Sequence, residues 1–125
     1  MSPLRIVITG SRNWADRDAI ATVLAKASAH LGLVTIIQGG ARGADAIAKE
    51  WATTAGMLGP EFPADWKRLG KRAGPLRNEA MLKAGADIVL AFPIGSRATS
   101  PGTWNCIETA SAMGIQVRIY GKAGP

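Results

Sequence analysis

Between two apolar stretches lies Gly39-Gly40-Ala41-Arg42-Gly43-Ala44-Asp45, which has the composition of an anion-binding turn. It stops the β-branched run Leu33–Gln38 and leads directly into helix-like sequence opening at Gly43. Glycines let backbone N–H groups approach an anion closely, and a helix N-terminus adds roughly half a positive charge. Asp45 falls in the first helical turn, where a carboxylate either suits the dipole or meets a ligand hydroxyl. The spacing is neither a P-loop, which requires Lys-Ser/Thr, nor the dinucleotide pattern G-x-G-x-x-G. The turn points to a nucleotide-type ligand without saying whether that ligand is converted or only held.

Four other segments carry similar chemistry. Gly10-Ser11-Arg12 offers a backbone N–H, a hydroxyl and a guanidinium to a phosphate or purine, or is a tight turn with a surface arginine. Pro101-Gly102-Thr103 is a second glycine turn entering a helix, and so a second anion candidate. Asp65-Trp66 supplies a polar contact and an aromatic wall for a base, unless Trp66 is the lid of a core. Lys71 and Arg77 can neutralise ligand charge, and Asn78 either bonds a base or ribose or acts as a helix cap.

These residues need elements to position them. Leu4–Thr9, Leu33–Gln38, Asp87–Phe92 and Ile115–Tyr120 are short, apolar and rich in β-branched residues, as buried strands are. A helix starting at Asp16 or Asp18 places Ile20, Val23, Leu24, Ala27 and Leu31 on one face and ends at Gly32. Further helices are expected over Ala44–Ala55, Leu76–Ala84 and Thr103–Met113. Met57–Pro63 fits a short edge strand at best, Ala64–Gly74 reads as a loop or irregular turn, and Pro93–Pro101 as a loop. Strands alternating with helices give a Rossmann-like α/β three-layer sandwich, with a mainly parallel sheet of about five strands and helices on both faces. In such sheets ligands bind at the carboxyl ends of the strands. Every glycine-bearing segment above falls at such an end, which argues for one site.

The chain has 125 residues, enough for one domain over 1–121 with a tail at 122–125. Its apolar fraction of 47% and charged fraction of 19% suit a folded globular protein. No apolar run approaches the ~20 residues needed to cross a bilayer, and the first ten residues lack a signal-peptide layout. Cys106 is the single cysteine and His30 the single histidine. A disulfide, a Cys–His nucleophile pair or a histidine-based metal site is therefore not expected. The default reading is a cytoplasmic protein with no membrane contact, no metal and no cofactor. Net charge is +6, and Lys67, Arg68, Lys71, Arg72 and Arg77 crowd into eleven residues. Such a cluster is a solubilising face, or holds the phosphates of a small ligand or a polynucleotide.

Taken together, the segments resemble the SLOG superfamily, the Rossmann-like group that includes the Lonely Guy phosphoribohydrolases and the DNA-processing protein DprA. Within it the likeness is to the small YspA-like branch of uncharacterised bacterial and phage proteins. The matching pieces are ITGSR at Ile8–Arg12, GGARGAD at Gly39–Asp45, PADW at Pro63–Trp66, GKRAGPLRNEAM at Gly70–Met81 and SPGT at Ser100–Thr103. The resemblance implies a nucleotide site on the glycine rim and a homodimer. It also implies an enzyme precedent, since Lonely Guy proteins cleave the N-glycosidic bond of a nucleoside 5′-monophosphate with an Arg and a Glu. Their R-K-x-x-M stretch corresponds to Arg77-Asn78-Glu79-Ala80-Met81, with the Lys replaced. Their Glu corresponds to Cys106, and Glu108 lies two residues further on, rotated by roughly 200° around the helix.

Three functions follow, in order. The first is binding of a phosphorylated, nucleotide-derived small molecule, such as a signalling nucleotide or an ADP-ribose-like compound. Gly10, Ser11, Arg12, Gly39, Gly40, Arg42, Gly43, Asp45, Asp65, Trp66, Lys71, Arg77, Asn78, Gly102 and Thr103 would form its site. The alternative is a nucleoside-monophosphate N-glycosidase whose carboxylate the spacing does not select among Asp45, Asp65, Glu79 and Glu108. The second alternative is nucleic-acid binding, placed last because the sequence interleaves no aromatic residues with the basic cluster.

Overall fold

The computed structural model describes residues 2–124. Five strands form one parallel sheet: β1 (Leu4–Gly10), β2 (Val34–Gln38), β3 (Leu58–Glu61), β4 (Ile88–Phe92) and β5 (Gln116–Ile119). Their order is β3-β2-β1-β4-β5. The chain thus winds outward from β1 to β3, crosses back, and continues outward from β4 to β5. That reversal puts the switch point between β1 and β4, which pair from Ile6↔Ile88 to Gly10↔Phe92. A crevice opens beyond the carboxyl ends of two such strands.

Alternation along the central strands explains the layers. Ile6, Ile8, Ile36, Ile88, Leu90 and Phe92 pack against α1 (Arg17–Leu31) and α2 (Ala44–Ala55). Val7, Ile37 and Val89 point the other way, against Met81 and Leu82 of α4 (Ala73–Lys83) and Cys106 and Ala110 of α5 (Pro101–Ala112). Successive side chains face opposite sides of a strand, so a central strand covered on both faces must be apolar throughout. The Rossmann-like sandwich expected from the sequence is the observed fold. Among the described residues, no helix is long and apolar enough to cross a membrane.

Several boundaries differ from expectation for identifiable reasons. Ala64–Gly74 is not a loop: α3 (Trp66–Leu69) and a 3₁₀ turn (Gly70–Arg72) run into α4, which starts at Ala73 rather than Leu76. Asp65 starts this run, its Oδ1 accepting from Arg68 N at 3.2 Å. Pro75 obscures the start of α4, yet a proline in the first turn removes only an N–H that has no helical partner there. Pro101 likewise opens α5 two residues before the expected Thr103. At α1 the choice falls on Asp16, whose Oδ1 accepts from Ala19 N at 3.1 Å. Lys122, in the expected tail, exchanges backbone bonds with Pro93 and Gly95 and reaches Asp16 Oδ2 at 2.7 Å.

The junction of β1 with α2 is tightly packed beside the crevice. A Cβ placed on Gly10 would lie 2.4 Å from Ala44 Cβ and 3.0 Å from Phe92 O. Gly10→Ala should therefore destabilise the fold by about 1–3 kcal/mol through overpacking. Urea unfolding of the variant measures this, and an unchanged midpoint would show that α2 yields instead.

Candidate functional site

The crevice at the switch point holds a cavity of about 330 Å³. Gly10, Ser11 and Arg12 line it from β1, Arg42 and Asp45 from the turn into α2, and Gly102 and Thr103 from the start of α5. Trp66 of α3 and Arg77 of α4 close the remaining side. A neighbouring hollow of about 350 Å³ shares Arg12, Arg42, Trp66 and Arg77 and adds Gly39 and Gly40. Four expected residues line neither. Gly43 sits outside as the residue before α2, Asp65 pairs with Arg68, Lys71 lies exposed in the 3₁₀ turn, and Asn78 is buried behind the wall. Thr9, Asn13, Thr99 and Ser100 line the first cavity without having been singled out; each adjoins a glycine segment, the one signal available.

The glycine turn is built differently from the expected phosphate cradle. Its amides are already engaged by the protein's own side chains. Gly39 N and Ala41 N both donate to Asp45 Oδ2, at 3.2 and 3.3 Å, and Gly40 N donates to Gln38 Oε1 at 2.6 Å. Gln38 is held in turn by Glu61 Oε1, which accepts from its Nε2 at 2.9 Å. Gln38 is fully buried, a polar side chain ending an apolar strand, and that contrast was its sequence signal. Asp45 belongs to the turn as its internal anion.

Arg77 and Asn78 brace the site more than they face it. Arg77 Nη1 donates to Gly39 O at 2.8 Å and Phe62 O at 3.4 Å, and its Nε donates to Asn78 Oδ1 at 2.8 Å. Asn78 Nδ2 donates onward to Gly102 O at 3.2 Å and Asn105 Oδ1 at 3.0 Å. One chain of hydrogen bonds thus ties the turn after β2 to the start of α5. Asn105 was missed, although it lies one helical turn beyond Gly102 and faces the same way. Asn78→Ala should cost about 1–3 kcal/mol, because it removes three part-buried hydrogen bonds at once; thermal unfolding reads the loss.

Trp66 is not a core lid. It is 46% exposed, with Gly74 beneath the ring, where an added Cβ would be 3.2 Å away, and the Arg12 guanidinium 5.0 Å from the ring centroid. The other carboxylates considered for chemistry lie outside the cavity. Asp65 pairs with Arg68, Glu79 with Lys83, and Glu108 with Arg97, all on the surface. Cys106, at the position of the Lonely Guy glutamate, is fully buried, and burial pushes its thiol up to about 11.

Asp45 is 5% exposed, and burial pushes its carboxyl up to about 6. The amides of Ala41 and Gly39 and the guanidiniums of Arg77 and Arg12 pull the other way without prevailing. In an unfolded chain the group titrates near 3.8, so the native state holds the extra proton between those values. Stability from this group is therefore full below about pH 4 and is lost as pH rises through 6. Relative to Asp45→Asn, the wild type should lose about 3 kcal/mol between those limits, measured by urea unfolding at stepped pH.

Comparison with known proteins fits this geometry. The family model described as YAcAr, YspA, cpYpsA-related SLOG, matches residues 4–69. The chain belongs to this family. Gene 61 protein of Mycobacterium phage D29 is 47% identical to this SLOG protein over 126 residues, covering 94% of the chain and 96% of the phage protein. Among solved structures, DNA processing protein A from Helicobacter pylori superposes with a TM-score of 0.67 at 16% identity, over 94% of this chain. The chain spans 65% of that structure's length, and the likeness is one of fold. That structure describes a single-stranded DNA binding mode.

The order of functional expectations is corrected accordingly. A small phosphorylated nucleotide ligand, placed first, loses its basis. The amides of Gly39, Gly40 and Ala41 serve Asp45 and Gln38, and the solved structure that shares this fold is described by its single-stranded DNA binding mode.

Proposed function

We propose that this SLOG protein binds single-stranded DNA across the carboxyl rim of its sheet. The observation that carries the reading is the pairing of an exposed aromatic ring with unneutralised cations. The ion pairs of the described residues are Arg17–Glu50, Lys49–Glu61, Arg68–Asp65, Lys83–Glu79, Arg97–Glu108 and Lys122–Asp16. Arg12, Arg42, Lys67, Lys71, Arg72 and Arg77 take no part in them, and all six belong to the rim or to the helical run beside it. Like charge concentrated in this way attracts a polyanion and releases its counterions on contact.

Trp66 supplies what the sequence lacked as a pattern. One half-exposed ring takes one stacked base, and Arg12 over it adds a cation to the same spot. With a single platform, affinity comes mainly from phosphates and sequence preference is slight. The DNA-binding neighbour of the same fold supports this choice of ligand.

Anisotropy of a labelled oligo-dT, titrated at several salt concentrations, tests the proposal. Log affinity should fall against log salt with a slope near about −3, as for roughly four phosphates on a single strand. Trp66→Ala should weaken binding by about 5- to 150-fold with the slope unchanged, the signature of lost stacking. Lys71→Glu should reduce the slope. Absence of binding at low salt, or full affinity in the Trp66 variant, would overturn the reading.

A further inference from the structure

The rim contains an anion site that the protein fills itself. Asp45 Oδ2 accepts from two amides of one turn, Gly39 and Ala41, the geometry in which such turns hold a phosphate oxygen. The titratable and charged groups nearest this carboxylate come from three other elements. The cations among them are Arg77 of α4 and Arg12 of the β1–α1 turn, and the titratable group on α5, the Cys106 thiol, is uncharged. Arg77 and Arg12 are cations without a carboxylate within ion-pair distance. Asp45 Oδ1 has no hydrogen-bond partner among the described residues, and the side chain lines the cavity. Amides, two guanidiniums and a bordering cavity make a complete cradle for a tetrahedral oxyanion, occupied by a side chain.

We propose that Asp45 is the specificity-determining residue of the rim, a resident anion that bars a terminal phosphate or other tetrahedral dianion from the glycine turn until its own charge is removed. The inference goes beyond DNA binding and stands independently of it. A carboxylate and a dianion cannot share the turn, since like charges at such distances in a dry site repel by several kcal/mol. Entry of the dianion therefore requires that Asp45 take up one proton and release the two amides, or that the residue be replaced. The internal phosphates of a strand lie along Arg12, Arg42 and the basic helices and do not need the turn. In the protein as it stands the rim thus favours a continuous backbone over a free phosphate. Because Asp45 titrates at about 6, its neutral form is about 30-fold more populated near pH 5 than near pH 7.5.

Sulfate is the probe, because it stays dianionic across this range and any pH dependence belongs to the protein. Calorimetric titration against chloride of equal ionic strength should give sulfate binding about 30-fold tighter near pH 5 than near pH 7.5, with uptake of about one proton near pH 7.5 and almost none near pH 5. Asp45→Asn should bind sulfate at both pH values with similar affinity. Its fold is checked by circular dichroism, and the wild-type pH series stands without the variant. Sulfate affinity that ignores pH in the wild type would overturn the proposal. So would a folded Asp45→Asn protein that gains nothing near pH 7.5. Oligo-dT binding measured on the same samples separates the two readings: its absence removes DNA binding and leaves the sulfate result to judge Asp45.

Discussion

The guanidinium of Arg77 and the amide of Asn78 hold the site together. Gly39 O, Phe62 O, Asn78 Oδ1, Gly102 O and Asn105 Oδ1 all accept within this one chain of donors. Phe62 is tied to the end of β2 by its own amide, which donates to Gln38 O at 2.9 Å, but among the described residues no sheet hydrogen bond fixes the turn after β2 against the start of α5. A planar fork with directed donors can do so where apolar packing cannot, because it specifies orientation as well as proximity. Asn78 is 2% exposed, which keeps water from competing for its bonds. The shape of the crevice follows from this link more than from any residue that faces it.

Charge is distributed to the same end. The acidic residues are largely spent in surface ion pairs on the flanks, and those exposed pairs contribute little stability. Their effect is to leave the rim's cations unmatched. The one carboxylate placed inside the rim, Asp45, is held by backbone amides instead of by a cation. In the two roles proposed above, attraction for a polyanion and refusal of a small dianion draw on the same few side chains.

Much of this was legible in the sequence. The strand–helix alternation gave the layers and the parallel sheet, since buried parallel strands must be apolar throughout and right-handed crossovers leave little choice. The glycine segments marked the rim correctly, because a turn at the carboxyl end of a parallel strand has few other forms. What the sequence could not show was the direction of hydrogen bonds. Gly39 and Ala41 look alike whether their amides await a phosphate or already serve Asp45. Asn78 looks alike as a cap, a ligand contact or a brace. The run after Asp65 was misread as a loop because Gly70, Gly74 and Pro75 lower local helix propensity, while capping by Asp65 and packing of Trp66 on Gly74 restore it. The lack of aromatic residues interleaved with the basic cluster is also a weak guide, since Trp66 stands beside Lys67 and is 46% exposed.

The guanidinium lying over Trp66 has a consequence for the molecule at rest. A large aromatic face left bare on a surface is adhesive, and two copies would tend to meet through it. Arg12 lies over one face and Gly74 backs the other, so the ring is screened while it remains reachable. The screen carries a positive charge, and neighbouring copies of a protein with net charge +6 repel one another there. In the proposed DNA-binding role, colloidal stability and readiness to bind become one property of this surface: the cation that keeps the idle protein dispersed is the one a polyanion would draw aside.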